Sequence, residues 1–202
     1  KERELRIKVN GAELVNVLCS PSKLDFLIYG YLFLEGFISK KEDVEDFKWN
    51  EKGDEVELTI QKEFFLPPGG RIIPVGLGGG LVYKREEVRV DSELRISPHD
   101  LIELVKKFDF YCESERKAKG IHTSAISDSK DLVMIADDIG RHNTIDKIAG
   151  ESLFRGFEMK DKIVMTTGRI SSEMVCKVAR MGVPILVTRR SPTEGAIHCA
   201  KD

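Results

Sequence analysis

The chain has 202 residues, enough for one large domain or two small ones, with 41% apolar residues to build a core and 33% charged. Its 32 basic and 34 acidic side chains leave a formal net charge of −2, which excludes the basic excess of a general nucleic-acid binder and the lopsided charge of a disordered acidic chain. No apolar run approaches the roughly 20 residues that span a bilayer, and the alternating charge over 1–6 is unlike a signal peptide, so a cytoplasmic protein without a membrane partner is expected.

In chain order, Leu5, Ile7 and Val9 alternate with charged residues, and Asn10-Gly11 separates them from a second apolar run over 14–18. This is the strongest short-range signal for a hairpin. Ser20-Pro21 reads as an N-cap followed by a first-turn proline. The stripe Leu24, Leu27, Ile28, Tyr31, Leu34 then recurs at helical spacing until Gly36. Val56, Leu58 and Ile60 predict a strand, which makes this half a small α+β unit. Residues 66–83 carry Pro67-Pro68-Gly69-Gly70 and Gly78-Gly79-Gly80. Composition favours a linker there over an active-site loop.

The second half is more regular. Ser97-Pro98 starts a helix to about Phe110, with Leu101, Leu104, Val105 and Phe108 on one face. Strands are predicted over 121–127 and 132–136, then a helix with Asn143 as N-cap and Asp146 at its third position. A strand over 162–167, a helix over 171–181 ended by Gly182 and a strand over 183–188 follow. This alternation predicts an α/β fold with a mixed, largely parallel sheet. The expected domains are 1–95 and 96–202.

Two connections share one design. Strand 132–136 runs into Gly140-Arg141-His142-Asn143, and strand 162–167 into Gly168-Arg169-Ile170-Ser171, each before a helix. In parallel α/β sheets such loops lie at the carboxyl ends of the strands, where ligands bind. Glycine admits close backbone approach, a helix start offers free N–H groups, and arginine offers a fork for phosphate or carboxylate. Two Gly-Arg loops on one edge therefore point to an anionic ligand, with His122, His142 and Lys147 placed to converge on it. For one loop alone, a turn and a surface ion pair would be the better explanation of the residues.

The order hairpin-helix-strand-helix-strand is that of the zinc nucleoside deaminases, which need H-x-E at the first helix start and P-C-x-x-C at the second. Neither motif stands there, and Cys19, Cys112, Cys176 and Cys199 form no C-x-x-C pair. Zinc is therefore not expected, and the scattered thiols suit a reducing compartment.

At these residues the chain resembles the formate dehydrogenase accessory sulfurtransferases, the FdhD family. Asp138-Ile139-Gly140-Arg141-His142-Asn143-Thr144-Ile145-Asp146-Lys147 is similar to the family's D-x-G-R-H-N-x-x-D-K signature. Thr167 to Val175 with Gly182-Val183-Pro184-Ile185-Leu186 resembles S-G-R-x-S-x-E-M-V … G-x-P-I-L. His122-Thr123-Ser124-Ala125 fits H-x-A-A, and 18–36 resembles T-P-x-D-L … G-F-L-x-x-E-G. The resemblance implies a cytidine deaminase-like three-layer domain and a homodimer. It also implies passage of sulfur from a cysteine desulfurase to the molybdenum or tungsten cofactor in its molybdopterin guanine dinucleotide form, as cargo for formate dehydrogenase. The cofactor-binding set it implies is His122, Gly140, Arg141, His142, Asn143, Asp146, Lys147, Gly168, Arg169, Ser171 and Glu173.

One departure divides the readings. The family's persulfide cysteines sit in a C-G-x-C-G-type loop, which falls near 75–80, where this chain has Val-Gly-Leu-Gly-Gly-Gly. No catalytic residue is assigned on that ground, and whether the protein is an enzyme stays open. It is expected to be either a sulfurtransferase using another thiol or a cofactor-binding chaperone without sulfur transfer. A nucleotide hydrolase on the same scaffold lacks metal ligands and a general-base pair.

Overall fold

A computed structural model describes residues 2–61, 71–73, 88–115 and 120–201. Most of the glycine-rich segment expected over 66–83 lies outside them. Strands β1 (Arg3–Val9) and β2 (Ala12–Cys19) form the expected hairpin. Asn10 and Gly11 between them have φ of 51° and 80°, the left-handed pair whose twist matches the flanking strands. With β3 (Val44–Trp49), β4 (Glu55–Ile60) and β5 (Arg71–Ile73) they make a five-stranded sheet in the order β3-β4-β1-β2-β5. β3 has no counterpart in the sequence reading. It is an edge strand with no fully buried residue, so its apolar alternation is weak.

Helix α1 (Leu24–Leu34) lays Leu27, Ile28, Tyr31 and Leu32 on the buried face of this sheet, against Leu5, Ile7 and Val15. Gly36 ends it with φ of 81°, its N–H donating to the carbonyl of Phe33 and the N–H of Phe37 to that of Leu32. The helix starts later than Ser20-Pro21 predicts, with Lys23 at its N-cap. Ser20 is used elsewhere: its N–H donates to Asp138 Oδ2 at 2.9 Å and its hydroxyl accepts from the N–H of Ile139 at 3.2 Å. A long-range tie has taken the residue that looked like a local cap.

The rest of the chain builds the second sheet. Helix α2 (Pro98–Phe110) has the predicted cap, the Ser97 hydroxyl accepting from the N–H of Asp100, and runs into a π-helical turn over 111–115. There follow β6 (His122–Ser127), β7 (Leu132–Asp138), α3 (Arg141–Arg155), β8 (Ile163–Thr166), α4 (Ser172–Arg180), β9 (Ile185–Thr188) and α5 (Glu194–Cys199). The order is β7-β6-β8-β9. β6 is antiparallel to both β7 and β8, and only β8 and β9 pair in parallel.

The sheet is mixed, as expected, but the expectation that its pairings are largely parallel is corrected. The tight turn after β6 folds β7 back beside it, and the crossover through α3 then sets β8 on the other side of β6. Even so, β7, β8 and β9 run in one direction. Their carboxyl ends and the start of β6 share one edge.

The second sheet is covered on both faces. Leu104 and Phe108 of α2 pack on Ala125, Ile163 and Met165, while Ile145 and Ile148 of α3 and Met174 and Val178 of α4 pack with Ile126 and Val164. α3 is also the back of the first half, because α1 crosses it at Gly30 and Gly150. A Cβ on Gly30 would lie 1.7 Å from the carbonyl oxygen of Asp146, and one on Gly150 1.9 Å from that of Phe26.

Candidate functional site

The shared edge is built by short hydroxyl side chains. Ser124 lies within hydrogen-bond reach of Thr144 (2.6 Å) and donates to Thr166 (3.0 Å). The Thr166 hydroxyl accepts from the N–H of Gly168, and that of Thr188 donates to the carbonyl of Gly168. Ends of β6, β8 and β9 are thereby fixed to the first residues of the Gly168-Arg169 loop.

The other loop is fixed by one carboxylate. Asp138 is wholly buried. Its Oδ1 accepts from the N–H of Gly140 (2.9 Å) and from Asn143 Nδ2 (2.8 Å), and its Oδ2 accepts from Ser20 and pairs with Lys147 Nζ at 2.6 Å. Lys147, also wholly buried, donates to the carbonyls of Ser20 and Asp137 as well. Asn143 Nδ2 further donates to the carbonyl of Leu18.

α3 begins at Arg141 with Gly140 as N-cap, so the predicted cap at Asn143 is corrected: the amide serves the interior instead. Nor do the two glycines leave room for a ligand. A Cβ on Gly140 would lie 2.8 Å from Asn143 Nδ2, and one on Gly168 2.9 Å from Arg141 Cβ, so each makes space for a side chain of the protein itself.

Asp146 and Lys177 form a second interior pair at 2.7 Å, with Glu35 at 3.3 Å from the same ammonium. Burial pushes the Asp146 carboxyl up to about 6, against the pull of Lys177. Burial also works against the charge on Lys177, but the carboxylates of Asp146 and Glu35 hold it protonated. His142 lies 3.6 Å from Glu173 at the starts of α3 and α4. Burial, then the charges of Lys177 and Arg141, lower its pKa to about 3, so the ring is neutral at physiological pH. Ser171 accepts from the N–H of Met174 as the cap of α4.

The sequence-derived set therefore divides. Gly140, Asn143, Asp146, Lys147, Gly168 and Ser171 are spent on holding the loops and helix starts, and Asp146 and Lys147 do not reach the surface as anion ligands. His142 and Glu173 lie 3.6 Å apart behind the edge. His122, Arg141 and Arg169 line a cleft of about 900 Å³ at the strand ends.

Sequence reasoning missed Arg189 and Arg190, which line the same cleft directly after β9. The available signal was a third strand end followed by arginine. The far wall, from α2 and its π-helical turn, brings Asp109, Cys112 and Glu113. Four arginines against two carboxylates give this cleft a local positive excess in a chain of net charge −2. Among the described residues, no group of three or more histidine, cysteine or acidic side chains could hold a metal ion. Nor is any described helix long and apolar enough to cross a membrane.

Comparison with known proteins matches the FdhD/NarQ family over residues 1–202. The chain belongs to the FdhD/NarQ family. It is 31% identical over 213 residues to the sulfur carrier protein FdhD of Bacillus subtilis (strain 168), covering 100% of this chain and 80% of the relative. It is 32% identical over 211 residues to that of Bacillus pumilus (strain SAFR-032), with the same coverage. The fold is also that of a crystal structure described as a formate dehydrogenase accessory protein from Desulfotalea psychrophila. That structure has a TM-score of 0.76 and 23% identity over 100% of this chain and 79% of its own. The stretch 138–147, whose sequence resembles the family's motif, is thus the Asp138-centred loop whose Arg141 lines the cleft.

Proposed function

We propose that the protein is a formate dehydrogenase maturation factor that binds the molybdopterin guanine dinucleotide form of the molybdenum or tungsten cofactor in the basic cleft and transfers sulfur to it from a cysteine desulfurase. The observation that carries this reading is the convergence of Arg141, Arg169, Arg189 and Arg190 with His122 on one cleft at the strand ends. Guanidinium groups there suit the bridging phosphates of a dinucleotide. Relatives named for sulfur carriage, and a structural neighbour described as a formate dehydrogenase accessory protein, support the sulfur step and the recipient enzyme.

Guanosine diphosphate stands in for the nucleotide half of that cargo. Each charge-assisted hydrogen bond to a phosphate is worth about 1.5–3 kcal/mol, so Arg141→Ala should weaken guanosine diphosphate roughly 10- to 100-fold. The more exposed Arg169 should matter less. Calorimetry finding wild-type affinity in both Arg141→Ala and Arg169→Ala would refute binding in this cleft.

Sulfur transfer needs a thiolate, and the four thiols differ. Burial pushes Cys19 up to about 12, so it stays protonated at neutral pH. Cys112 lines the cleft. In the transfer, a cysteine thiolate attacks the outer sulfur of the desulfurase persulfide. The sulfur–sulfur bond breaks and the desulfurase thiolate leaves, so atoms and electrons balance with no added oxidant. Incubation with a desulfurase and cysteine should then add one sulfur to the intact mass, and Cys112→Ser should abolish the gain. An unchanged mass with guanosine diphosphate binding retained would instead favour a cofactor-binding chaperone without sulfur transfer. The missing C-x-x-C pair in the sequence makes that second reading specific.

A further inference from the structure

A carboxylate on the wall of an anion cleft opposes the ligand unless it has a task there. Asp109, on the last turn of α2, pairs with Arg189 at 2.8 Å, its oxygen accepting from a guanidinium nitrogen across the cleft. The Arg189 side chain is 66% exposed and that of Asp109 30%, so this ion pair adds little to fold stability. Asp109 leads the influences that raise the Arg189 pKa, with Glu113 and Cys112 behind it, so the contact is the dominant electrostatic partner of that guanidinium. Arg190 lies beside it on the same cleft. A guanidinium fork receives a carboxylate and a phosphate with the same planar geometry. Arg141 and Arg169 follow β7 and β8, whereas Arg189 and Arg190 follow β9 on the outer side of β8. The cleft therefore offers two groups of donors side by side along one sheet edge.

We propose that Arg189 and Arg190 form a second anion subsite of the cleft, which Asp109 occupies in the free protein and yields to the second phosphoryl group of a diphosphate-bearing ligand. This rests on the reading of the cleft as an anion site and adds to it both a selection and a restraint. Two subsites favour a diphosphate over a single phosphate. The Asp109 carboxylate, an internal competitor, makes a lone phosphate or a stray anion a poor occupant of the second one, because displacing it must be repaid by an anion already held at the first. Since the competing pair is partly exposed and weak, it tunes affinity by a small factor and does not block entry.

Calorimetric titration of inorganic pyrophosphate and of orthophosphate tests this on the wild type, Asp109→Asn, Arg189→Ala and the double variant, with guanosine diphosphate as a reference on the wild type. Asp109→Asn should bind pyrophosphate about two- to fivefold more tightly. Arg189→Ala should lose most of the preference for pyrophosphate over orthophosphate. In the Arg189→Ala background, Asp109→Asn should bring no gain, because the contact it relieves is gone.

Two results would overturn the inference: unchanged pyrophosphate affinity in Asp109→Asn, or a gain that persists without Arg189, which is a general field effect of removing one negative charge. Asp109→Ser repeats the test should the amide itself hold Arg189. If the wild type binds neither pyrophosphate nor guanosine diphosphate, the anion reading of the cleft falls and this inference with it. If it binds both and depends on Arg141 but is indifferent to Asp109, only the inference fails.

Discussion

Lys147→Met should lower the melting temperature by about 6–20 °C and weaken guanosine diphosphate binding at the same time. The ammonium is wholly buried and 2.6 Å from the equally buried Asp138. Removing one member of such a pair strands the other charge in the interior, at a cost of about 3–5 kcal/mol. For a chain of this size each kcal/mol lowers the melting temperature by about 2–4 °C. Asp138 keeps its hydrogen bonds from Ser20, Gly140 and Asn143, which places the loss toward the lower end of that range.

The binding effect follows from the same contacts. Asp138 fixes Gly140, and Gly140 precedes Arg141, so a relaxed carboxylate releases the start of α3. Asp138→Asn should be costly in its own right because it leaves Lys147 charged and unmatched. The double variant Lys147→Met, Asp138→Asn should cost less than the sum of the two. A melting temperature within 2 °C of wild type for Lys147→Met would refute this account of the pair.

That lysine also marks the limit of what the sequence alone can reveal. Asp146-Lys147 looks like a solvated helical pair with a cation ready for a ligand. Nothing local distinguishes it from one, because the partners that bury it, Asp138, Ser20 and Lys177, come from other elements. The features that were legible rest on local physics. The Asn10-Gly11 turn needs two left-handed residues, Ser97 caps its helix within one turn, and β6 to β9 carry their own apolar patterns.

The pairings are less parallel than expected because alternating elements do not say on which side of β6 the chain returns. The shared edge does not depend on that, since β7, β8 and β9 run the same way. The arginines at that edge were therefore found in part: Arg141 and Arg169 stood out beside glycines. Arg189 and Arg190, with no glycine and no following long helix, did not.

Gly150→Ala should destabilise the protein by about 3 kcal/mol or more, although helix propensity alone predicts a gain of about 1 kcal/mol. The position is inside α3, and an alanine there would place its Cβ 1.9 Å from the carbonyl oxygen of Phe26 in α1. Real Cβ atoms do not approach backbone so closely, and backbone cannot swing aside as a side chain can, so the helices must separate. Separation opens the interior on both sides at once, because α1 carries Leu27, Ile28 and Leu32 into the first core and Leu34 into the second.

Gly30→Ala meets the carbonyl of Asp146 at 1.7 Å and should behave alike. Once the helices have parted for one substitution, the second finds space already made. The double variant should then be less destabilised than the two singles added together. Parting α1 from α3 also pulls on the contacts from Leu18 and Ser20 to Asn143 and Asp138, so guanosine diphosphate binding should fall in Gly150→Ala even where the protein remains folded. Chemical denaturation of the three variants measures the first effect, and calorimetry on the folded fraction the second. A Gly150→Ala protein as stable as wild type would mean that the helices do not meet backbone to backbone, and the support of the Asp138 loop by the first half of the chain would have to be sought elsewhere.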